Sequence, residues 1–133
     1  SYLAKNYSDS IKYYETSLLS NTYSIDPKIG LIKIYLDTHS FDKVQMIAYE
    51  VIKVDYNNFY ANLYMAQALI AQEKYEIATE IVHKILRLYP TNVAFLETLA
   101  AIYKKTDTKN INELYENILI LDPNNIFVHN QMR

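Results

Sequence analysis

The sequence lacks the residues on which several kinds of functional site depend. It contains no cysteine, which excludes a disulfide framework and thiolate chemistry but leaves the compartment open. Its single glycine, at position 30, excludes a glycine-rich phosphate loop and argues against strands joined by tight turns. Only three prolines interrupt the chain. With so few loop-forming residues, almost the whole chain is expected to lie in regular structure.

An excess of one charge and long apolar segments are missing as well. The 13 lysines and arginines are scattered among 15 aspartates and glutamates, and the net charge is −2. This leaves no basic surface of the kind that binds nucleic acid or a membrane surface. No run reaches the roughly 18 apolar residues of a membrane span. We therefore predict neither a nucleic-acid partner nor membrane insertion, and a hydrophobic content of 50% is typical of a globular protein.

The sequence does contain an internal repeat with a period of 34 residues. Similar residues recur at this spacing in three series: Tyr7, Phe41 and Tyr75; Ser10, Val44 and Ala78; and Ser17, Val51 and Ile85. A polar loop signature also recurs, at 54–58, 88–92 and 121–125. A period of this length is typical of a solenoid, in which supersecondary units stack on their neighbours.

Each period contains two amphipathic helical patterns. In residues 59–92, apolar side chains follow helical spacing first around 65–69 and again along 75–86. The segment 71–74 between them is a short polar turn, which suits an antiparallel pair of helices.

The residues at the helix ends support this interpretation. Pro90 cannot continue the helix before it, which is predicted to end near Leu88. The predicted N-terminal caps are Asn58, Asn92 and Asn125. Asp26 followed by Pro27 is a further predicted start, because a capping side chain precedes a residue whose missing N–H costs nothing there.

Residues 59–92 resemble a tetratricopeptide repeat. The matching residues are Met65, Ala66, Leu69, Tyr75, Ala78, Val82, Ile85, Leu86 and Pro90. In that family small residues let the two helices of a unit approach closely, and Ala66 and Ala78 fit this requirement. The resemblance implies an all-helical fold, a right-handed superhelical solenoid of antiparallel helix pairs.

The resemblance covers almost the whole chain. It divides residues 1–133 into full repeats at 25–58, 59–92 and 93–125, with 1–24 as the second half of a repeat and 126–133 as the start of a further helix. The last full repeat is one residue short, and the deletion is placed in the Thr106–Lys109 turn. Because the chain begins and ends in mid-repeat, we expect the natural protein to continue. The alternative is that exposed terminal helices pair with another copy.

In tetratricopeptide proteins the first helix of each repeat lines a concave groove, and the resemblance places particular residues there. These groove residues are Ile29, Lys33 and Leu36; Tyr60, Leu63, Gln67 and Ile70; and Glu97, Ala101 and Lys104. The lysine and asparagine clamp of chaperone-binding relatives is absent from these repeats. An apolar stripe of Leu36, Tyr60, Leu63 and Ile70 instead predicts a protein–protein interaction scaffold that binds a peptide or a partner helix. The alternative is that part of the stripe packs against neighbouring repeats.

No sequence pattern predicts catalysis, a metal or a cofactor. Glu80 and His83 have the Glu-x-x-His spacing of di-iron bundles, but such a site needs a second motif and two further glutamates. We therefore interpret them as a solvated pair. The protein is predicted not to be an enzyme. A targeting or regulatory arm of a larger enzyme and a self-assembling structural module are the alternative functions.

Overall fold

A computed structural model describes the backbone of residues 2–20 and 25–132, and the side chains of 7–19 and 25–132. Within these ranges every regular element is an α-helix, so the predicted all-helical class is confirmed. In chain order the helices are α1 (Tyr2–Ser20), α2 (Ile25–Asp37), α3 (Phe41–Val54), α4 (Phe59–Ala71), α5 (Tyr75–Leu88), α6 (Val93–Thr106), α7 (Ile111–Leu121) and α8 (Ile126–Gln131). The predicted partial repeats extend into residues 1, 21–24 and 133, which lie outside the described part.

The helices group into two compact units, Ser1–Ala68 and Leu69–Arg133, which we call the N-terminal and C-terminal units. The helices that pack most extensively are successive along the chain. In the N-terminal unit these pairs are α1 with α2 and α2 with α3. In the C-terminal unit they are α5 with α6, α6 with α7, and α7 with α8. The repeat boundaries remain a prediction.

The core of the N-terminal unit is built on one face of α3. Val44, Ala48 and Val51 lie at i, i+4 and i+7 on that helix, and all three are buried. Ile32 from α2 and Ala61 from α4 join the same cluster. The apolar residues at helical spacing in the sequence thus form one continuous packed layer.

Gly30 allows α1 to approach α2 closely. A Cβ atom at this position would lie 2.3 Å from Cζ of Tyr14, far inside van der Waals contact. The ring of Tyr14 therefore lies directly against the α2 backbone. Glycine inside a helix costs about 0.5–1 kcal/mol relative to alanine, and the chain places its only glycine where this close approach requires it.

The core of the C-terminal unit contains larger side chains. Phe95 and Ile102 from α6 and Ile118 from α7 are almost completely buried. On α5, Val82 and Ile85 are buried on one face. Packing this complete leaves little room for a change of volume at any of these positions.

Asparagine caps begin three of the helices, as the sequence predicts. The side-chain oxygens of Asn58, Asn92 and Asn125 accept hydrogen bonds from the backbone N–H groups of Ala61, Phe95 and Val128, at 2.9, 3.2 and 2.8 Å. Each bond satisfies one of the N–H groups that have no partner within the helix. The predicted end of α5 before Pro90 is also confirmed, since that helix ends at Leu88.

The predicted capping role of Asp26 is wrong. Ile25 is already helical, so Asp26 lies inside the first turn of α2 and does not precede it. A carboxylate in that turn is still favourable, because it faces the positive end of the helix dipole. Pro27 also fits there, because the first N–H groups of a helix have no intrahelical acceptor.

Two helices end in the same left-handed turn, 34 residues apart. His39 after α2 has φ 60° and Glu73 after α4 has φ 61°. The closing bonds run from the N–H groups of His39, Ser40, Glu73 and Lys74 to the carbonyls of Leu36, Tyr35, Ile70 and Leu69, at 3.1, 2.8, 2.9 and 2.8 Å. This is the Schellman arrangement, which usually contains glycine. The turn after α6 differs, because Asp107 has φ −150°.

Replacing Glu73 by glycine is expected to stabilise the protein by about 0.5–1 kcal/mol. A left-handed residue with a side chain costs about 1–2 kcal/mol, which exceeds the entropy that glycine loses on folding. Asp107→Gly is the matched control, because its φ is negative. That variant should lose at least about 0.5–1 kcal/mol, because it also removes the carboxylate that accepts from the Asn110 amide at 2.7 Å. Urea unfolding of both variants tests this expectation, and a shift in the same direction for both would contradict it.

Candidate functional site

One stripe of α2 remains open to solvent. Asp26, Lys33 and Asp37 are exposed, and Ile29 and Leu36 between them are half-buried against the core cluster. Their spacing of three or four residues places them along one side of the helix. Of the groove residues on this helix, Lys33 is fully available. Ile29 and Leu36 offer only part of their surface.

The corresponding stripe of α4 is aromatic. The ring of Tyr60, 51% exposed, stacks on Tyr64, one turn further along, with centroids 5.9 Å apart and an interplanar angle of 24°. Phe59 meets the edge of Tyr60 at 5.0 Å between centroids. Gln67 follows one turn beyond Tyr64 and is half-buried. The first turn of α4 therefore presents an exposed aromatic surface.

Tyr64 on α4 and Asp37 on α2 lie close enough to interact electrostatically. The pKa of Tyr64 is raised, first because its hydroxyl is partly buried and then because Tyr60 and the Asp37 carboxylate lie near it. A carboxylate influences a phenol in this way only at short range. We call Lys33, Asp37, Tyr60, Tyr64 and Gln67 the α2–α4 face. It combines an aromatic surface with one charge of each sign.

Leu63 is placed differently from the exposed groove residues. Its side chain is 8% exposed, and its neighbours Ala61 and Asn62 are completely buried. The leucine therefore lies on the packed side of α4, where a polar substitution would disturb folding before it affected a ligand.

Two groove residues of the C-terminal unit, Glu97 and Lys104, already have partners on α8 or at its cap. The Asn125 amide donates to the Glu97 carboxylate at 2.7 Å, and the Lys104 ammonium donates to the Gln131 side-chain oxygen at 2.6 Å. Ala101 lies between Glu97 and Lys104 and is half-buried, as is Ile70 near the end of α4. These bonds link α6 to α8, so both charged groups are held in place.

A separate cleft lies between α6 and α7. It has a volume of about 260 Å³ and is lined by Leu99, Tyr103, Asn110, Glu113, Leu114 and Asn117. None of the predicted groove residues lines it. No sequence motif predicts this cleft, although a difference between the repeats at residue 110 marks it.

The described residues show little that suggests metal chemistry. Nowhere among them do three histidine, aspartate or glutamate side chains come together in a way that could hold a metal ion. Glu80 and His83 are both exposed on α5. No described helix combines the length and apolar character needed to cross a membrane.

Comparison with known proteins relates the chain to other structures through its fold. Neither the family models nor the curated proteins match this sequence. Among solved structures, the chain is similar to a tetratricopeptide-like protein described as "MamA RS-1 ArsTM double mutant", with a TM-score of 0.82 and 14% identity. The match covers 95% of this chain and 71% of the MamA chain. Similarity at this low identity concerns the fold alone, and it confirms a tetratricopeptide-like helical repeat solenoid.

Proposed function

We propose that this protein is a protein–protein interaction scaffold, and that its α2–α4 face binds a peptide or a partner helix. The observation that carries the proposal is the exposed Tyr60 ring, stacked on Tyr64 at the start of an otherwise mostly buried helix. Tyrosine contributes a large apolar area with few rotatable bonds, and it is enriched among residues that dominate binding energy. The tetratricopeptide-like fold supports a protein-binding role in general. The proposal assigns no catalytic role.

The charges around the aromatic pair indicate which kind of ligand is expected. Lys33 and Asp37 are both exposed and opposite in sign, so neither an acidic nor a basic partner is favoured overall. Binding should therefore depend mainly on buried apolar area, with weak dependence on salt. The groove residues of the C-terminal unit, Ile70, Glu97, Ala101 and Lys104, remain predicted contact residues.

The test compares two tyrosines of similar exposure. Tyr60→Ala should weaken partner binding by more than about tenfold, as expected for an aromatic residue at the centre of an interface. Tyr89→Ala is the control, because Tyr89 is 56% exposed but lies outside the α2–α4 face. Immobilised wild type and both variants would capture proteins from an extract, and the affinity of each captured protein would then be measured by titration.

Two outcomes would count against the proposal. Partners that bind Tyr60→Ala as tightly as wild type would show that the α2–α4 face is not the contact surface. A steep loss of wild-type affinity with added salt would show that charge, and not apolar area, drives binding. Thermal unfolding of Tyr60→Ala should remain close to wild type, because this ring is half exposed.

A further inference from the structure

The cleft of the C-terminal unit combines an apolar floor with a polar rim. Leu99 from α6 and Leu114 from α7 are nearly completely buried and form the floor. Tyr103 is half-buried beside them, and Glu113 is exposed at the rim. The cleft can therefore accommodate a side chain whose stem is apolar and whose end is polar.

The predicted first repeat fills the equivalent place with its own lysine. Corresponding residues of successive repeats lie 34 positions apart, or 33 positions apart once the short turn of the third repeat has been passed. With this register Tyr103 corresponds to Tyr35, and Asn110 corresponds to Lys43. The Lys43 ammonium lies 5.0 Å from the centroid of the Tyr35 ring. The third repeat has the ring but a shorter, neutral residue at the position of the lysine.

A second cation is missing from the third repeat. In the first repeat Lys28 pairs with Glu50, with 3.5 Å between Nζ and Oε2. The same register places Leu96 and Asn117 at these two positions. At these register positions the first repeat therefore has two lysines, and the third repeat has none.

The polar groups of the cleft are left without a cationic partner. Among the described residues, neither the Tyr103 ring nor the Glu113 carboxylate has an ion pair or a cation–π contact. The Asn110 amide donates to Asp107 at 2.7 Å, which holds it at the start of α7. A carboxylate and a tyrosine ring thus line a cavity without an ion pair or a cation–π contact of their own in the described part of the chain.

We propose that this cleft binds the lysine or arginine side chain of a partner polypeptide. The cation lies over the Tyr103 ring, because the negative face of an aromatic ring attracts positive charge. The Glu113 carboxylate neutralises it from the rim. The methylene stem packs on Leu99 and Leu114, as long cationic side chains do on apolar surfaces. A nucleobase could also stack on the ring, but the carboxylate repels the phosphate that accompanies it.

Titration of the ¹⁵N-labelled 133-residue chain by NMR tests the proposal directly. The probes are N-acetyl-lysine methylamide and N-acetyl-arginine methylamide, with the uncharged N-acetyl-norleucine methylamide as the control. The two cationic probes should produce saturable shifts in the amides lining the cleft, and norleucine should bind at least about threefold more weakly. Equal binding of norleucine, the absence of saturation by either cation, or stronger binding of adenosine monophosphate would overturn the proposal.

Variants separate the roles of the ring and the carboxylate. Glu113→Gln should weaken the cationic probes about two- to fivefold, and Glu116→Gln, an exposed neighbour outside the cleft, should leave binding unchanged. Tyr103→Phe should retain binding and Tyr103→Leu should lose it. Equal binding by Tyr103→Leu and wild type would overturn the proposal.

The most specific variant restores the missing lysine. Asn110→Lys should place an ammonium over the Tyr103 ring, as Lys43 does over Tyr35 in the first repeat, and thereby abolish binding of the added probes in a variant that remains folded. Undiminished probe binding to a folded Asn110→Lys variant would contradict the assignment of the cleft. The cleft shares no residue with the α2–α4 face, so this result is independent of the groove test.

Discussion

Replacing Asn62 by aspartate is expected to destabilise the protein by about 3–5 kcal/mol at neutral pH. Asn62 is completely buried in the first turn of α4. Its amide nitrogen donates to the carbonyls of Tyr56 and Asn58, at 3.1 and 2.7 Å. An aspartate has nearly the same shape but would direct a carboxylate at two carbonyl oxygens. No described donor reaches the other oxygen of the side chain.

The loss should depend on pH in a defined direction. Burial without donors raises the pKa of the introduced carboxyl in the folded state above its unfolded value of about 3.9. The folded variant then binds more protons than the unfolded chain, so its stability falls as the pH rises from about 4. Urea unfolding at pH 4 and at neutral pH measures this slope.

Asn92→Asp is the matched control for the same substitution. The Asn92 side chain caps α6 through an oxygen that accepts from Phe95, and aspartate performs that role equally well. The control should change stability by less than about 0.5 kcal/mol. Equal losses in the two variants would show that burial and the two carbonyl contacts of Asn62 are not the cause.

Replacing Ile118 by alanine is expected to cost about 2–5 kcal/mol, whereas Ile120→Ala on the same helix should cost less than about 0.5 kcal/mol. Ile118 is 0% exposed, and Ile120 is 78% exposed. The first substitution removes buried methyl groups and leaves a cavity in the α7 packing. The second removes surface that water already contacts. The two positions have identical chemistry, so the difference isolates the contribution of burial.

Denaturant unfolding of the wild type and both alanine variants under the same conditions distinguishes the two variants. A loss of a few kcal/mol is a large share of the total stability of a domain this size, so Ile118→Ala should begin to unfold at much lower denaturant concentration. A destabilisation of Ile120→Ala as large as that of Ile118→Ala would mean that the outer side of α7 is covered in solution.

The features that could be predicted from the sequence depend on local chemistry. The caps at Asn58, Asn92 and Asn125 and the end of α5 before Pro90 are governed by residues within one helical turn. The all-helical class follows from the repeated helical spacing of apolar residues. This spacing persists along the chain, so a local exception does not change the predicted class. Asp26 is an exception, since its helix includes the residue before it.

The features that could not be predicted depend on packing between helices. Leu63 and Tyr60 lie three residues apart with similar apolar character, yet one is buried and the other exposed. The difference arises from which side of α4 meets its neighbours, and the repeat register alone does not resolve it. The left-handed residues His39 and Glu73 also have no sequence signal, because this conformation usually selects glycine or asparagine.

The cleft at Tyr103 falls between these cases. Asn110 at its rim stands where the first repeat has Lys43, so a position-by-position comparison of residues 43, 77 and 110 could have drawn attention to it. Whether the loss of a side chain leaves a cavity depends on how far the surrounding helices relax, and that is decided by the packing of Leu99 and Leu114.

The extensive packing of helices that are successive along the chain also bears on how the protein folds. Such contacts close short loops, and the entropy lost in closing a loop rises with its length. Chains rich in local contacts reach the native state faster than chains that must first join distant segments. Each helix pair can therefore form soon after its residues leave the ribosome, with little need to await the rest of the chain.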